Sequence, residues 1–319
     1  MTRSLLVLSG ISLAAFVLAL AVGSVTVSPS ELWAVIQGEG SKLHHTLLLE
    51  LRLPRTLAAF ATGGLLAVAG ALMQVLLRNP LADPYVLGLS GGAAVGALLA
   101  MLAGLGALVI SGAAFAGAML AMVLVFGLAH GTGSWTASRL LLTGVVVAAG
   151  WGAVITLMLA ITPSYKLPGM LYWLMGDVSY ARTPWPAFVI LVLAILVIMP
   201  LARNLNVLAR GPMQAAALGV SVRPLEWTIY VLASLLTATA VTTAGSIGFV
   251  GLIVPHMLRL VLGNDQRIIL PASALAGGTL LVLADTLART VIAPEQLPVG
   301  VITALLGVPT FLYLLHRSR

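Results

Sequence analysis

The chain contains no cysteine and only two lysines, Lys42 and Lys166, among its 319 residues. Without cysteine, disulfides and thiolate metal ligands are excluded. A phosphate-binding loop of the G-x-x-x-x-G-K-[ST] type places a glycine directly before its lysine, whereas these two lysines follow Ser41 and Tyr165. The chain therefore lacks this site for ATP hydrolysis, and we do not expect it to be an enzyme.

Charged side chains are also scarce. They make up 8% of the residues and hydrophobic side chains 60%, whereas soluble domains carry about 25% charged residues. This composition predicts an all-α polytopic membrane protein. The net charge of +7 is spread over short loops, which does not favour nucleic-acid binding, since that needs a concentrated basic surface.

Apolar runs close to the length needed to cross a bilayer, about 20 residues, indicate the membrane spans. Nine such runs cover residues 5–23, 56–77, 86–103, 109–129, 139–161, 186–203, 227–244, 268–288 and 299–315. A shorter run, 247–262, is broken by Pro255 and predicts a half-length or re-entrant helix. The total is about ten transmembrane helices. The first run also resembles a signal peptide, but we expect it to be retained.

Basic residues predict the topology, because cytoplasmic loops hold an excess of them. With the N-terminus inside, the inner side collects Arg3, Arg78, Arg139, Arg203, Arg210, Arg223, Arg259, Arg267, Arg317 and Arg319, with Asp83, Glu226 and Asp265. The outer side collects Lys42, Arg52, Arg55, Lys166, Arg182 and Arg289, with Glu31, Glu39, Glu50, Asp177, Asp285 and Glu295. The inner side sums to +7 and the outer side to zero. Both termini are therefore predicted to be cytoplasmic.

The chain reads as one transmembrane domain, 1–319, with a faint internal repeat. Residues 55–92 and 223–263 share an arginine, an apolar span and a glycine-broken segment. This similarity indicates two five-helix halves, about 1–162 and 184–319, in opposite topology.

Glycines at helical spacing indicate close helix contacts. Small residues four apart let two backbones approach each other where lipid gives no hydrophobic driving force. The candidates are Gly63, Gly70, Gly88, Gly92 and Gly96. Intrachain packing is the simpler interpretation, and a smooth wall along a transport path is the alternative.

Ionisable groups near span centres, which mark ion paths, are almost absent. Asp285 and Arg289, four residues apart near the outer end of a span, are interpreted as an interfacial pair. The five histidines are scattered, and the adjacent His44 and His45 lack further ligands for a metal site. No metal site is predicted.

The predicted cytoplasmic connection 205–224 contains a candidate short helix. Pro212 suits a helix start, good helix formers follow, and Gly219 suits a stop. Arg210 and Arg223 flank it. We interpret this segment as a docking helix for a soluble partner, and a plain surface turn is the alternative.

Five longer motifs carry a family resemblance. They are RLPR (52–55), GGLLAVAGALMQ (63–74), RNPLADPYVLGLSGGAAVG (78–96), GSIGFVGLIVPHMLR (245–259) and LPVGVITALLGVPTFLYLL (297–315). Together they resemble the permeases of the vitamin B12, ferric-siderophore and haem ABC importers, the FecCD type of type II importer. The resemblance spans nearly the whole chain.

The resemblance implies a subunit of about ten helices in the bacterial inner membrane, with no cofactor of its own. It implies a two-fold related permease, either a copy or a sister chain, two ATPase subunits that hold ATP and magnesium, and a periplasmic substrate-binding protein. Membrane lipid surrounds the assembly, and no nucleic acid is involved. The implied function is ATP-driven alternating access that moves a ferric siderophore, haem or cobalamin inward, with iron chelates the commonest cargo.

The resemblance also implies residue roles. Arg52, Arg55 and Arg289 match arginines that dock the binding protein, with lipid-headgroup anchoring as the alternative. The loop formed by Arg210, Gly211, Pro212, Ala216, Leu218, Gly219 and Arg223 matches the ATPase-coupling segment. Related loops often carry an acidic residue where Pro212 stands, so this chain departs from the family pattern at that polar contact. Ser138, Leu142 and Thr143 match the central gate. The competing functions are an ion-coupled secondary transporter, a membrane-embedded enzyme, and a passive channel or assembly scaffold.

Overall fold

The computed structural model describes residues 2–23, 25–130, 136–181 and 183–317. Within these ranges the chain forms fifteen α-helices and no strand. They are α1 (Thr2–Ala21), α2 (Pro29–Gln37), α3 (Lys42–His45), α4 (Leu53–Leu76), α5 (Leu89–Leu102), α6 (Ala107–Ala129), α7 (Ala137–Ile161), α8 (Leu167–Met175), α9 (Trp185–Ile198), α10 (Ala202–Leu208), α11 (Pro212–Ala217), α12 (Val222–Ala244), α13 (Val250–Leu262), α14 (Gln266–Ala288) and α15 (Val299–Arg317). A π-helical segment, Thr46–Arg52, joins α3 to α4.

The protein is a multi-pass membrane protein. Among the described residues, seven helical segments are long and apolar enough to cross a bilayer. They are Arg3–Ala21, Lys42–Leu76, Ala107–Ala129, Ala137–Ile161, Trp185–Leu208, Val222–Ala244 and Gln266–Ala288. Three shorter apolar helices, α5, α13 and α15, occupy the remaining predicted runs. Arg182 and Arg319, which entered the charge count, lie outside the described residues.

Helix α4 forms the centre of the bundle. Every residue from Ala61 to Leu76 is buried, and α4 packs against α9, α12, α13 and α14. Its small residues allow this, because four neighbours can approach only where side chains are short. Since all four neighbours come from 184–319, the two predicted halves share one core instead of forming separate bodies.

The outer helices expose apolar side chains in the single chain. In α7, only Leu140, Gly144 and Met158 are buried. Leu142, Val146 and Leu157 are each more than 60% exposed. A membrane protein can leave such a surface uncovered where lipid or a second membrane subunit contacts it.

Helix α5 begins later than the apolar run at 86–103 predicts. A 3-10 turn, Pro84–Leu87, comes first, and Gly88 then adopts a left-handed conformation with φ +73°. The predicted span is therefore too long at its start. Hydropathy alone cannot detect the break, because this irregular backbone is enclosed by protein and its side chains are as apolar as those of a helix.

The short helices α5 and α13 begin next to each other inside the bundle. With 14 and 13 residues, each is only about 20 Å long, less than a hydrocarbon core of about 30 Å. Ser90 and Ser246 share a hydrogen bond of 2.8 Å, and the Ile247 N–H donates to the Tyr85 hydroxyl at 3.1 Å. Unusually short helices in corresponding positions of the two halves are typical of inverted-repeat transporters.

Pro255 does not break α13, contrary to the sequence prediction. The helix runs through it from Val250 to Leu262. A proline has no N–H to donate to the carbonyl four residues earlier, which here is that of Gly251. That carbonyl faces Gly70 of α4, and a methyl group on Gly70 would overlap it. The packing against α4 thus accommodates the carbonyl that Pro255 leaves without a helical partner.

Four of the five candidate glycines lie at close helix crossings. A methyl group on Gly63 would overlap the carbonyl of Gly277 in α14, and the overlap is reciprocal. Gly92 and Gly117 form the same contact between α5 and α6, and Gly96 lies on the backbone of Ala113. The side-chain-free surfaces therefore face other helices of the same chain.

Gly88 does not belong to the helical glycine face on which the sequence places it. Its positive φ makes it the residue before α5 instead of the first step of a G-x-x-x-G ridge. A Cβ there would lie 3.3 Å from the Ala148 nitrogen of α7. Gly88 is therefore needed for backbone conformation, and only Gly92 and Gly96 form the ridge.

Three helices, α2, α3 and α8, were not predicted. The first has a sequence signal that could have revealed it. Ser28 precedes Pro29, the first residue of α2, and forms a complete capping box with Glu31 in its first turn, which is a recognised helix-start pattern. Helix α8 lies between α7 and α9 and is only nine residues long, too short for a hydropathy search tuned to full spans.

Candidate functional site

Two charged regions lie at opposite ends of α4. We call the end that contains Arg52, Arg55 and Arg289 the arginine end, and the other the α11 end. Residues that the charge pattern assigns to the outer side meet at the arginine end, and those assigned to the inner side meet at the α11 end. The grouping agrees with the predicted topology, while the direction in the membrane stays a prediction.

At the arginine end, Asp285 of α14 forms salt bridges with two arginines. Arg55 of α4 donates to its carboxylate through Nε at 3.0 Å and through Nη2 at 2.8 Å. Arg289 Nε lies 3.1 Å from the other carboxylate oxygen. The Asp285 side chain is only 2% exposed. The predicted Asp285–Arg289 pair is thus present and belongs to a larger buried network.

Two residues that the sequence did not single out complete this network. Gln296 accepts a hydrogen bond of 2.7 Å from Arg55 Nη1, and Asp177 lies 4.0 Å from Arg55 Nη2. Both are more than 100 residues from Arg55 in the chain. Because such contacts form only in the folded bundle, no local pattern could have identified them.

Arg52 and Arg289 also hold the end of α1. Arg52 Nη1 donates to the carbonyls of Leu20 at 2.6 Å and Ala21 at 3.1 Å, and Nη2 donates to that of Val25. Arg289 Nη2 donates to the carbonyl of Ala19 at 3.2 Å. The last carbonyls of a helix lack intrahelical donors and carry partial negative charge. The two arginines satisfy them and attach α1 to the bundle.

The three candidate docking arginines line one cleft of about 570 Å³. Arg52 and Arg289 are each 5% exposed, and the Arg55 side chain is 14% exposed. Much of their hydrogen-bonding capacity is therefore used within the chain. Glu50 lines the same cleft and is exposed. The docking role remains a prediction, and the structure limits it to a partner group that enters this cleft.

At the other end, α11 forms at the position that the sequence predicts. Gly211 and Gly219 adopt φ values of +127° and +80° on either side of it, and Pro212 occupies its first turn, where a missing N–H is tolerated. Ala215 is fully buried and anchors the helix. Met213 and Leu218 are 86% and 70% exposed. Arg210, Ala216 and Arg223 are exposed as well.

A second cleft, of about 590 Å³, opens beside α11. We call it the basic cleft. Its lining consists of Gln74, Val75, Arg78, Asn79, Pro80, Asn206, Ala209, Arg210, Arg259, Asn264 and Asp265. Three arginines thus face one concave surface together with one carboxylate. Only Arg210 of these was a candidate from the sequence.

The three gate candidates lie in the first two turns of α7. Ser138 is exposed, Leu142 is 67% exposed and Thr143 is half-buried. They belong to the uncovered surface of α7 described above. A gate at this surface would have to be completed by another subunit, so the gate role stays a prediction.

Comparison with known proteins now identifies the family. The profile of the FecCD transport family matches residues 11–317. The chain belongs to the FecCD transport family. The match covers both charged ends and all helices from α2 to α15, so the family assignment applies to the molecule as a whole.

Several curated members of the family are similar over most of their length. The vitamin B12 import system permease BtuC of Vibrio cholerae is 41% identical over 322 residues, covering 99% of this chain and 95% of the relative. The hemin transport system permease HmuU of Yersinia pestis is 38% identical over 306 residues, covering 93% and 90%. The ABC transporter permease YvrB of Bacillus subtilis is 41% identical over 293 residues, covering 88% and 82%.

A solved structure shares the arrangement of helices. It is an inward-facing ABC transporter assigned to the metal-chelate type, with a TM-score of 0.90 and 29% sequence identity, covering 99% of this chain and 100% of that one. PsaBC of Streptococcus pneumoniae, at 16% identity and a TM-score of 0.60, shares the fold alone.

Proposed function

We propose that this protein is the membrane permease of an ABC importer in the bacterial cytoplasmic membrane. It would pair with a second permease, either a copy or a sister chain. Two ATPase subunits would bind at the α11 end and a substrate-binding protein at the arginine end. ATP and magnesium would be held by the ATPases. Family membership and the named functions of BtuC and HmuU support this proposal.

The observation that carries the proposal is the exposed helix α11. Its buried Ala215 and the turns at Gly211 and Gly219 fix it to the bundle, while Met213 and Leu218 extend into solvent. Exposed apolar side chains on a fixed short helix favour burial in a partner. A rigidly attached helix can transmit movement of that partner to α10 and α12, between which it lies.

The transport step would be alternating access. ATP binding would draw the two ATPases together, and each α11 would move with its ATPase. The two permeases would then rock against each other along uncovered surfaces such as that of α7. Small side chains at the α4–α14 and α5–α6 crossings keep each permease compact during this motion.

The arginine end would receive acidic groups of the binding protein. Arg52, Arg55 and Arg289 line one cleft and outnumber its single exposed carboxylate, Glu50. Complementary charge mainly accelerates and orients such an encounter. We propose a large metal chelate as cargo, of the corrinoid or haem type, because permeases named for both are similar along nearly the whole chain.

The test is uptake into proteoliposomes that contain the permease, with and without its ATPase. We expect uptake of cobalamin or haem only with the ATPase, ATP and the binding protein. Leu218→Ser should reduce ATPase association and uptake several-fold, since losing an apolar contact that matters at an interface costs more than about 1 kcal/mol. Leu105→Ser, an exposed leucine 46% accessible in the α5–α6 connection, is the matched control. Uptake driven by an ion gradient without ATPase would contradict the proposal and favour a secondary transporter.

A further inference from the structure

We propose that the basic cleft is a binding site for a phosphate group, presented either by a phospholipid headgroup or by free phosphate. Its volume of about 590 Å³ is within the range of small-molecule sites, about 300–1,000 Å³. The proposal concerns the isolated permease and does not depend on ATPase coupling or on the cargo.

The charge balance of the basic cleft favours an anion. Arg78, Arg210 and Arg259 line it, and Asp265 is its only carboxylate. The Asp265 carboxylate already has partners within the chain, because it accepts hydrogen bonds from Asn206 Nδ2 at 2.8 Å and from Arg267 Nε at 3.2 Å. With Asp265 neutralised by Arg267, the three lining arginines remain as net positive charge.

Arg259 is held in position for a ligand. Its Nε donates to Gln74 Oε1 and its Nη2 to the carbonyl of Ala71, both at 3.2 Å. Gln74 is 4% exposed and is itself fixed by donating to the carbonyl of Leu252. A guanidinium has five N–H donors, so these two bonds leave three for the basic cleft. A fixed planar guanidinium suits the oxygens of phosphate.

Arg78 and Arg210 also line the basic cleft, and their side chains make fewer contacts within the chain than that of Arg259. Arg78 has φ +49° at the end of α4, a conformation unusual for a residue other than glycine or asparagine. Glu226 is within electrostatic range of Arg78. Among the described residues, neither arginine side chain makes a hydrogen bond or salt bridge within the chain; only the backbone N–H groups of Arg78 and Arg210 donate, to the carbonyls of Val75 and Val207. Both are exposed and can adjust to a bound anion.

Ordinary enrichment of basic residues in cytoplasmic loops is the alternative explanation. That enrichment requires only the number of charges, not a common concave surface. Arg203 and Arg223 are exposed near the same end but do not line the basic cleft. They carry the same charge and therefore serve as matched controls for Arg78 and Arg210.

The experiment uses full-length permease purified in detergent and depleted of lipid. Binding of inorganic phosphate is measured by thermal shift at constant ionic strength, with acetate as the reference anion. We expect stabilisation by phosphate, and Arg78→Gln and Arg210→Gln to weaken it about tenfold or more. Arg203→Gln and Arg223→Gln should retain it. Arg210→Gln is the decisive variant, because its exposed side chain is not needed for folding.

Native mass spectrometry identifies the source of the phosphate. Retention of phosphatidylglycerol over phosphatidylcholine, lost in Arg210→Gln and competed by phosphate, assigns the site to a lipid headgroup. Phosphate binding without lipid preference assigns it to free phosphate. The proposal is overturned if neither ligand binds, if acetate stabilises equally well, or if Arg203→Gln has the same effect as Arg210→Gln.

Discussion

Arg55 of α4 and Asp285 of α14, 230 residues apart in the chain, form a buried ion pair that joins the two helices. Arg55 Nη2 lies 2.8 Å from Asp285 Oδ1, with side chains 14% and 2% exposed. The pair lies where α4 and α14 pack, and Arg55 also lines the charged cleft at the arginine end. The same ion pair therefore belongs both to the helix packing and to the cleft. A change in either residue therefore affects both the packing and the charge of the cleft.

Asp285→Asn should strongly destabilise the permease. It removes the negative charge that compensates both Arg55 and Arg289, and breaking a buried ion pair from one side costs roughly 3–5 kcal/mol. The matched control is Arg267→Gln, which removes the Arg267–Asp265 pair, where the side chains are 45% and 35% exposed. An exposed pair contributes about 0–1 kcal/mol. The measurement is thermal unfolding in detergent, and equal losses in the two variants would contradict the assignment.

The sequence predicts the helices better than it predicts their contacts. A bilayer requires long apolar runs, so nearly every span is visible, and Pro212 with Gly219 marks α11. The start of α5 is missed, because Gly88 and the preceding turn are apolar and enclosed by protein.

The sequence predicts only the local contacts of the candidate site. The spacing of Asp285 and Arg289 within one helix is a local signal, and the structure contains the pair. The contacts of Arg55 with Asp177 and Gln296, and of Arg259 with Gln74, join distant segments. They depend on how α4, α13 and α14 pack, and a single sequence does not contain that information.

Gly63→Ala should destabilise the crossing of α4 and α14. The added methyl group meets the Gly277 backbone, which cannot move like a flexible side chain, and overpacking costs about 1–3 kcal/mol. Gly277→Ala should have a similar effect, since it fills the same contact. Gly112→Ala on α6, where no atom lies within 4 Å of the new Cβ, should be neutral or slightly stabilising. Thermal unfolding and purified yield test the difference, and a loss in Gly112→Ala as large as in Gly63→Ala would oppose it.

The buried carboxyl of Asp83 should make the folded permease less stable as pH rises from acidic to neutral. Burial raises the pKa of this carboxyl from its ordinary value of 3.8 to about 6, against the opposing hydrogen bond from the Tyr85 N–H. A raised folded-state pKa stabilises the fold below the unfolded pKa, and this contribution is lost as pH rises through about 6. In Asp83→Asn, which can still accept the Tyr85 bond, the change between pH 4 and 7 should be smaller.

The control for Asp83 is a carboxyl with the opposite shift. Hydrogen bonds from Asn206 and Arg267 lower the pKa of Asp265, so its contribution is present above the unfolded pKa and is lost as pH falls through the folded one. Asp265→Asn should therefore leave the change between pH 4 and 7 intact. Melting temperatures in detergent across this range provide the measurement. An unaltered profile in Asp83→Asn would show that another group titrates there.

Glu50→Lys should strengthen docking of the binding protein if acidic groups enter the cleft at the arginine end. Glu50 is exposed and lines that cleft, so reversing its charge adds to Arg52, Arg55 and Arg289 without disturbing their buried contacts. We expect association to accelerate several-fold at low salt, with the gain lost as salt screens it. The matched control is Glu39→Lys, an exposed residue outside the cleft. Association rates by biolayer interferometry at low and high salt distinguish a local effect from a general change in surface charge. An equal gain in Glu39→Lys, or a slower association in Glu50→Lys, would oppose docking at this cleft.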